Sequence, residues 1–595
     1  MNPRTRFDDL HQFINHLEKK GELRRIRVEV DPVLEVSEIV QRVVKQEGPA
    51  LLFERPRGAD FPLLINLFGS HRRIEEALGN HPEAIGEAIV KTIDRLNPPS
   101  LSTLWHSREF LIRALAMRPR IVRQAPVQEV SEEPDLTRLP VLQCWPGDGG
   151  RFITFGMVLT EHPHTRRRNL GLYRLHIYDE RTTGMHWQSM KGGRGHYFAA
   201  EQQGVPLDVA VVLGGDPVLM LASVLPLPED VDEITFAGLL SGRRPSLVKA
   251  QTSPLLVPAN AEFILEGHVP PFERRREGPF GDHFGHYSEA ADFPVFHLRR
   301  VTRRRKAIYP ASVVGKPPQE DKYIGEAAGL LVGPLIKLIQ PNVRDLWAFY
   351  EAGFHNLLGV AVAERHPKEV LKTAFGLLGV GQLSLTKVMV LVREEVNCRR
   401  FDHLLRELWW RFDPAERMLL IPTAPLDTLD FTSFTMHTGS KLILDATGER
   451  IMSAEPPREI VDPRRFDSRI VDYRLLEGGF LVVVIARDAR QVLADLLRWP
   501  ELGPVKFIVA VSPDVKVQDD ENLIWGIFTR FDPARDMLAE EMRLVGARPL
   551  YRGRLAIDAT WKEGYPQPLE MDPEIQRRVD RRWGEYFGPE VRDMS

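Results

Sequence analysis

Apolar positions along the first 120 residues switch between two periods. Leu10, Phe13, Ile14 and Leu17 fall on one face of a helix over Asp8 to Gly21, with Gly21 as its stop. Leu23 to Val30 alternates as a half-buried strand does, Val36 to Val44 returns to helical spacing, and Ala50 to Phe53 is a short buried strand. The run Ile65 to Ser70 then turns into a helix starting near His71. Helices alternating with strands predict an N-terminal α/β domain over residues 1–120. From 121 to 315 the pattern becomes short runs punctuated by Gly, Pro and Asp. Strands are predicted at Phe152–Thr160, Leu170–Tyr178, Val209–Leu213, Val218–Ala222, Leu247–Ala250 and Phe293–Arg299. Many short strands with turn signals suggest a barrel or a compact sheet domain. From Lys316 onward long helical patterns alternate with strands such as Val388–Val392, which predicts a further α/β region over 316–455 and 456–595.

That last region repeats itself. Lys387-Val388-Met389-Val390-Leu391-Val392 returns as Lys506-Phe507-Ile508-Val509-Ala510-Val511, and Arg411-Phe412-Asp413-Pro414-Ala415 as Arg530-Phe531-Asp532-Pro533-Ala534, both 119 residues on. Leu444-Asp445-Ala446-Thr447 returns as Ile557-Asp558-Ala559-Thr560 after 113. Gly353-Phe354 and Gly479-Phe480 open similar strand-then-helix runs. Several matches in one order indicate duplication of a subdomain. The six residues lost fall near His437-Thr438-Gly439-Ser440-Lys441, a turn that only the first copy keeps, so the second copy reads as structural, a packing or assembly partner for the first.

Composition narrows the class. The 595 residues are 43% hydrophobic and 27% charged with a net charge of −3, ordinary for a soluble chain with sizeable cores. Two distant cysteines, Cys144 and Cys398, argue against a disulfide framework and fit a reducing cytoplasm. No signal core or membrane-spanning apolar run is present. Arg166-Arg167-Arg168 and Arg303-Arg304-Arg305-Lys306 lack interleaved aromatics, so no nucleic-acid partner is expected.

The densest chemistry lies in Glu277-Gly278-Pro279-Phe280-Gly281-Asp282-His283-Phe284-Gly285-His286-Tyr287. Three glycines and a proline force a sharp turn, and carboxylates held rigidly on a turn suit proton transfer. Alternation along Asn169-Leu170-Gly171-Leu172-Tyr173-Arg174 puts Asn169, Gly171 and Tyr173 on one face and Arg174 on the other. Taken alone, His186 reads as a satisfied histidine on a half-buried strand and Glu233 as an acid at a helix N-terminus. Together Asn169, His186 and Glu233 form a donor set suited to Mg²⁺ or Mn²⁺.

These residues resemble the UbiD family of decarboxylases, which use prenylated FMN. The glycine loop looks like that family's signature, followed by Gly285 and Tyr287. The resemblance continues in Asn169 to Arg174, Met185 to Gln188, Leu227-Pro228-Glu229-Asp230, Gly315-Lys316-Pro317-Pro318, Arg411 to Ala415, Leu429-Asp430-Phe431 and Gly439-Ser440-Lys441. It implies a multidomain α+β fold with a split β-barrel cofactor domain at 121–315. It implies a catalytic trio of Arg174, Glu277 and Asp282, with Asp282 as proton donor and Arg174 gripping the substrate carboxylate. Desolvation and Glu277 are expected to keep Asp282 protonated.

The resemblance further implies that Leu172, Tyr173, Met185, Gln188 and Met190 line the cofactor and that Lys441 pairs with its phosphate. Mn²⁺ or Mg²⁺ would be held by Asn169, Glu233 and an imidazole, and K⁺ would sit near Ala222 and Ser223 beside Glu233. Many relatives carry histidine where this chain has Met190, and a thioether is a poor partner for either divalent ion. Either His186 substitutes, or the metal is held without an imidazole. The expected function is reversible, non-oxidative decarboxylation of an aromatic or α,β-unsaturated carboxylic acid in a cytoplasmic homodimer or homohexamer, the cofactor coming from a UbiX-type flavin prenyltransferase. An FMN-dependent oxidoreductase, or a non-catalytic subunit of an aromatic carboxylase, is the alternative.

Overall fold

The computed structural model describes residues 7–96, 110, 112, 114, 115, 117–188, 192–227 and 231–588. The chain divides into two compact units, Met1–Val332 with Gln567–Ser595, and Gly333–Pro566.

In the first unit the opening helix runs Leu10–Lys20. Asp9 caps it by accepting from the Gln12 amide, and Gly21 ends it at φ +74°, a conformation that costs glycine nothing. Leu10, Phe13, Ile14 and Leu17 are buried, as their spacing predicts. A four-stranded sheet follows in the order Leu23–Val30, Ala50–Pro56, Leu63–Ile65, Tyr309–Pro310, so the N-terminal layer is completed by a strand from beyond residue 300.

The strand expected at Val218–Ala222 is instead a helix, Pro217–Ala222. Asp216 caps it by accepting from the Val218 amide at 2.8 Å, and Pro217 takes the first helical position. Every side chain in the run is buried, so apolar periodicity could not separate helix from strand.

The largest sheet is antiparallel and runs from Arg274–Glu277 through Ala291–Arg303, Phe263–Val269, Leu207–Leu213 and Phe152–Glu161 to Arg168–His176. Beyond Arg168–His176 the chain reverses, and Ile177 bridges Thr183. Thr182–Gly184 then pairs back onto Val295–His297, so the sheet curls until its far side meets the strand next to its start. The two edge strands carry Glu277 and Arg174.

The glycine loop leaves Glu277 through Gly278 at φ +90° and folds into a small hairpin, Phe280 opposite Ser288 and Gly281 opposite Tyr287. Residues 144–149 buttress it. Asp148 accepts from the amides of Gly281 at 2.7 Å, Trp145 at 2.8 Å and Cys144 at 3.0 Å, and Gly149 donates to Pro279 O at 2.8 Å. Gly285 O accepts from Leu569 N at 2.9 Å, so the returning C-terminal segment holds the loop's other side. Trp145 packs so closely that a Cβ on Gly281 would lie 2.2 Å from its Cδ1.

The second unit contains two five-stranded sheets of one topology. The first orders Val343–Ala348, Leu357–Val362, Val388–Arg393, Thr438–Ala446, Met418–Pro425, and the second Ile470–Leu476, Phe480–Ile485, Phe507–Val511, Arg548–Ala559, Met537–Val545. Their registers correspond, with Val388 opposite Leu442 in one and Phe507 opposite Leu555 in the other. Residues 426–437 loop between the last two strands of the first sheet, where Gly546 and Ala547 turn tightly in the second; the missing residues belong there. Upstream the match is looser, because Gly479 directly precedes its strand while Gly353 precedes Leu357–Val362 by a longer turn. Trp409, Trp410 and Trp525 are buried in helices.

The packing around Trp145 predicts that Gly281→Ala lowers stability by about 1–3 kcal/mol through overpacking. Gly329→Ala, whose added Cβ meets nothing within 4 Å in a helix interior, should raise it by about 0.5–1 kcal/mol. Urea unfolding of both variants reads the contrast.

Candidate active site

Arg174 stands at the centre. Its Nε donates to Glu277 Oε1 at 3.0 Å, Nη1 to Asp282 Oδ2 at 2.5 Å and Nη2 to Ser288 Oγ at 3.0 Å. The guanidinium lies over the Phe280 ring, 4.6 Å from its centroid. A planar fork is the cation that can serve two carboxylates and a hydroxyl at once. Glu277 is fully buried and Arg174 and Asp282 are each 9% exposed. The trio that the resemblance implies thus meets in space, drawn from opposite edges of one sheet.

His186 joins the same cluster. Its Nδ1 lies 2.9 Å from Glu277 Oε1, and its ring packs on Phe293 at 4.2 Å. Burial and then the nearby Arg174 charge hold the imidazole below its ordinary value, so at neutral pH it is the neutral Nδ1–H donor to Glu277. The expectation of His186 as a ligand beside Asn169 and Glu233 does not match this placement, because His186 N donates to Arg174 O at 3.4 Å and so sits at the Arg174 end of the strand Arg168–His176, five residues along from Asn169.

Burial alone would raise the Glu277 carboxyl, but the imidazole and guanidinium on Oε1 outweigh it and hold the group below the usual carboxylate range. Asp282 follows the same logic more strongly. Burial pushes it up, yet His283, which donates to Oδ1 from its amide and from Nδ1, both at 2.8 Å, wins together with the Arg174 charge. Asp282 therefore rests ionised. The expectation that desolvation and Glu277 keep it protonated fails, because His283 on Oδ1 and then the charge of Arg174 favour the ionised form over the cost of burial. Close to His283, Asp321 is pushed up to about 6 by burial, against the charge of His283 and with that of Asp282.

Asn169 and Glu233 lie at the other end of the same strand. Arg168 Nη2 donates to Asp232 Oδ2 at 2.5 Å and Leu170 N to Glu233 Oε2 at 2.8 Å, which sets Asn169 against the start of the helix Glu233–Ser241. Burial pushes the Glu233 carboxyl up to about 7, with only backbone amides opposing it. Gly192 abuts Asn169, where an added Cβ would come 2.3 Å from Oδ1. Leu172 N donates to Ser223 O at 3.3 Å, so Ala222 and Ser223 adjoin this strand too. Among the described residues no three of His, Cys, Asp and Glu gather into a metal-holding cluster. Met190 and residues 228–230 lie outside the described residues. Tyr173 and Met185 are buried and Leu172 and Gln188 are half-buried.

In the second unit, Lys441 is buried and donates to Ser384 O at 2.8 Å and Thr386 O at 2.7 Å. Burial brings its amine down to about 8, with Asp430 opposing and Lys387 adding to the shift. The arginine runs are engaged in ion pairs, Arg303 with Glu132 at 2.8 Å and Arg304 with Asp9 at 3.1 Å. Sequence reasoning assigned no role to Phe280, His283 or Ser288. All lie in or beside the glycine loop, but only the hairpin register shows that the Phe280–Ser288 pair faces Arg174.

The chain belongs to the UbiD family of carboxy-lyases. The family's 3-octaprenyl-4-hydroxybenzoate carboxy-lyase Rift-related domain matches residues 120–317, its N-terminal domain 14–93, and its C-terminal domain 322–446 and 466–559. An uncharacterised protein of Chlamydia trachomatis is 38% identical over 588 residues, covering 97% of this chain and 99% of that protein. A Chlamydia pneumoniae protein, named as one of the subunits of a 4-hydroxybenzoate decarboxylase, is 37% identical over 97% of this chain and 98% of its own length. An Archaeoglobus fulgidus protein is 42% identical over 74% of this chain and 92% of its own length. Among solved structures, the UbiD-class enzyme HmfF from Pelotomaculum thermopropionicum in complex with FMN aligns with TM-score 0.62 and 26% identity, covering 76% of this chain and 97% of that one. No described helix is long and apolar enough to cross a membrane.

The lowered Asp282 value carries a sign. Its contribution to stability is present above the ordinary carboxylate pKa of about 4 and is lost as pH falls through the lower folded value. Asp282→Asn should cost about 2–4 kcal/mol at pH 7 by leaving Arg174 underpaired. The gap to the parent should close as pH falls below about 4, as urea melts across that range will show.

Proposed function

We propose that this chain catalyses reversible, non-oxidative decarboxylation of an aromatic or α,β-unsaturated carboxylic acid, with prenylated FMN bound in the central sheet domain and Asp282 as proton donor. The supporting observation is the buried guanidinium of Arg174 shared between Glu277 and Asp282. The near-closed ring of strands around it is what favours reading 121–315 as a split barrel.

The residues fit a flavin phosphate carried on a cation. Glu233 is a carboxylate lifted to about 7 with only backbone amides opposing its burial, which a divalent ion beside Asn169 would relieve. Cβ atoms on Gly192 and Gly193 would crowd Asn169 and Trp187, so their absence leaves backbone room for a ligand. Trp187 Nε1 is buried without a hydrogen-bond partner. The proposed divalent ligands are thus Asn169 and Glu233, with Ala222 and Ser223 beside them for potassium. Bound there, the cofactor supplies the electron sink for the charge left when the bond to CO₂ breaks.

The chain's own residues do the rest. Glu277 and His186 fix the plane of Arg174 through Oε1. A substrate carboxylate entering against the guanidinium competes with Asp282 for Nη1. Asp282 then loses part of the charge that holds it ionised, its pKa rises in the buried site, and it takes up a proton. It delivers that proton to the carbon that lost CO₂, and the reverse transfer serves carboxylation. A UbiX-type prenyltransferase would supply the cofactor.

A panel of aromatic and acrylic acids, followed by CO₂ release and H/D exchange on holoenzyme, tests the function. Asp282→Asn and Arg174→Ala should each lower turnover by at least about a hundredfold while circular dichroism stays unchanged. Retained turnover in both would reject the assignment. Calorimetry of a carboxylate inhibitor in buffers of different ionisation enthalpy should show proton uptake on binding, absent in Asp282→Asn.

A further inference from the structure

Asp282 is the acid that gains and loses a proton in the reading above, and its surroundings limit where that proton comes from. Its Oδ2 is taken by Arg174 Nη1 at 2.5 Å, a group that stays charged and has no proton to give. Its Oδ1 faces His283, whose amide and Nδ1 both donate to it at 2.8 Å. Glu277 bonds to Arg174 Nε, and His186 is turned to Glu277 rather than to Asp282. His283 Nδ1 therefore carries the exchangeable hydrogen that already points at an Asp282 oxygen.

Exposure puts the same ring between the cluster and water. The His283 side chain is 22% exposed, against 13% for Asp282, 9% for His186, 8% for Arg174 and 0% for Glu277. The loop fixes this locally. Gly285 N donates to Asp282 O at 2.9 Å, which closes a turn over residues 282–285, and Gly285 takes φ +72° at its end. The turn folds the His283 ring back onto the carboxylate of its own neighbour, with buried Phe284 against it edge-on at 5.5 Å. Close by, in the first turn of the helix Glu320–Ile339, Asp321 is a second acid that favours positive charge on the ring. An imidazole between a buried acid and water suits proton transfer, because its two nitrogens are loaded and unloaded separately.

We infer that His283 is a positioning residue that acts through Asp282, holding its Oδ1 and passing protons between solvent and that oxygen. This rests on the proposed role of Asp282. The ring starts neutral, with hydrogen on Nδ1 as the bond to Oδ1 requires. When an entering carboxylate draws Arg174 away from Asp282, water or buffer protonates Nε2, the Nδ1–H bond breaks and an O–H bond forms on Asp282. The ring is left neutral with its hydrogen on Nε2, so one proton has entered from solvent and one has reached the acid. Once Asp282 is ionised again, exchange with solvent returns hydrogen to Nδ1.

The test mixes full-length apoprotein with benzoate in weakly buffered solution at pH 7. Binding is followed by tryptophan fluorescence and proton uptake by an indicator dye. His283→Asn keeps an N–H donor within reach of Oδ1 but has no second nitrogen to load. Uptake should keep pace with binding in the parent. In the variant it should reach the same extent at least about tenfold more slowly, and added imidazole should restore the rate. In holoenzyme the same variant should slow H/D exchange into the substrate about a hundredfold, again with recovery in imidazole, to which the parent is indifferent. His283→Ala takes its place if the first variant does not fold. Unchanged rates of uptake and exchange in these variants overturn the relay. Loss of benzoate affinity and of uptake together, without rescue by imidazole, makes His283 a support for the loop alone and also overturns it. Absence of uptake in the parent overturns the proposed protonation of Asp282 on anion binding, and the relay with it.

Discussion

The pairing of Arg174 with Glu277 governs this structure. It joins the two edge strands of the largest sheet at 3.0 Å, where backbone pairing has stopped. A buried guanidinium and a buried carboxylate each carry a large desolvation cost, and each is tolerated only beside the other. The sheet must therefore curl far enough to bring them together. Asp282 adds a second carboxylate, shared between the guanidinium of Arg174 and the ring and amide of His283. An entering carboxylate meets a cation already shared by two acids. It can gain the guanidinium only by loosening Asp282, and this is how anion binding becomes protonation of the group that must later give a proton.

Much of this is legible in the amino-acid sequence. The glycine loop, the strand of Asn169 to Arg174 and the first helix are local features whose patterns translate directly into backbone. What escapes depends on tertiary context. Val218–Ala222 is buried all round, which erases the period that separates helix from strand. The charge state of Asp282 depends on His283 and Arg174 converging on one buried carboxylate, and the Arg174 half of that is not revealed by any spacing. His186 is set beside Arg174, to whose carbonyl its amide donates at 3.4 Å, and so lies at the far end of the strand from Asn169. Phe280 and Ser288 face Arg174 only because the hairpin pairs them.

The repeat shows the same division. Recurring segments at 119 and 113 residues are legible, and the point where six residues drop out falls near Lys441. The two sheets of the second unit share one strand order and have equivalent registers. Lys387 lies over the Phe531 ring at 5.3 Å, and Lys506 donates to the Phe412 carbonyl at 2.8 Å. That reciprocity is not legible, because it is a relation between copies.

Duplication within one chain changes what each copy must preserve. In a two-fold dimer of identical subunits, a residue that serves the partner's site also appears at the equivalent place in its own. Here the constraint is lifted. Gly439-Ser440-Lys441, expected as a turn, lies within the strand Thr438–Ala446, and Arg552-Gly553-Arg554 stands at the equivalent place in the second copy. The second copy does keep Asp532, whose carboxylate spans two donors of Ser440. A buried aspartate with four donors converging on it is costly to place, and its loss would take the carboxylate acceptor from both donors of Ser440. The first copy's Asp413 caps its own helix through Ala415 N. The two copies thus share the aspartate cap and differ in the strand segment at issue, which carries Ser440 in one and Gly553 in the other.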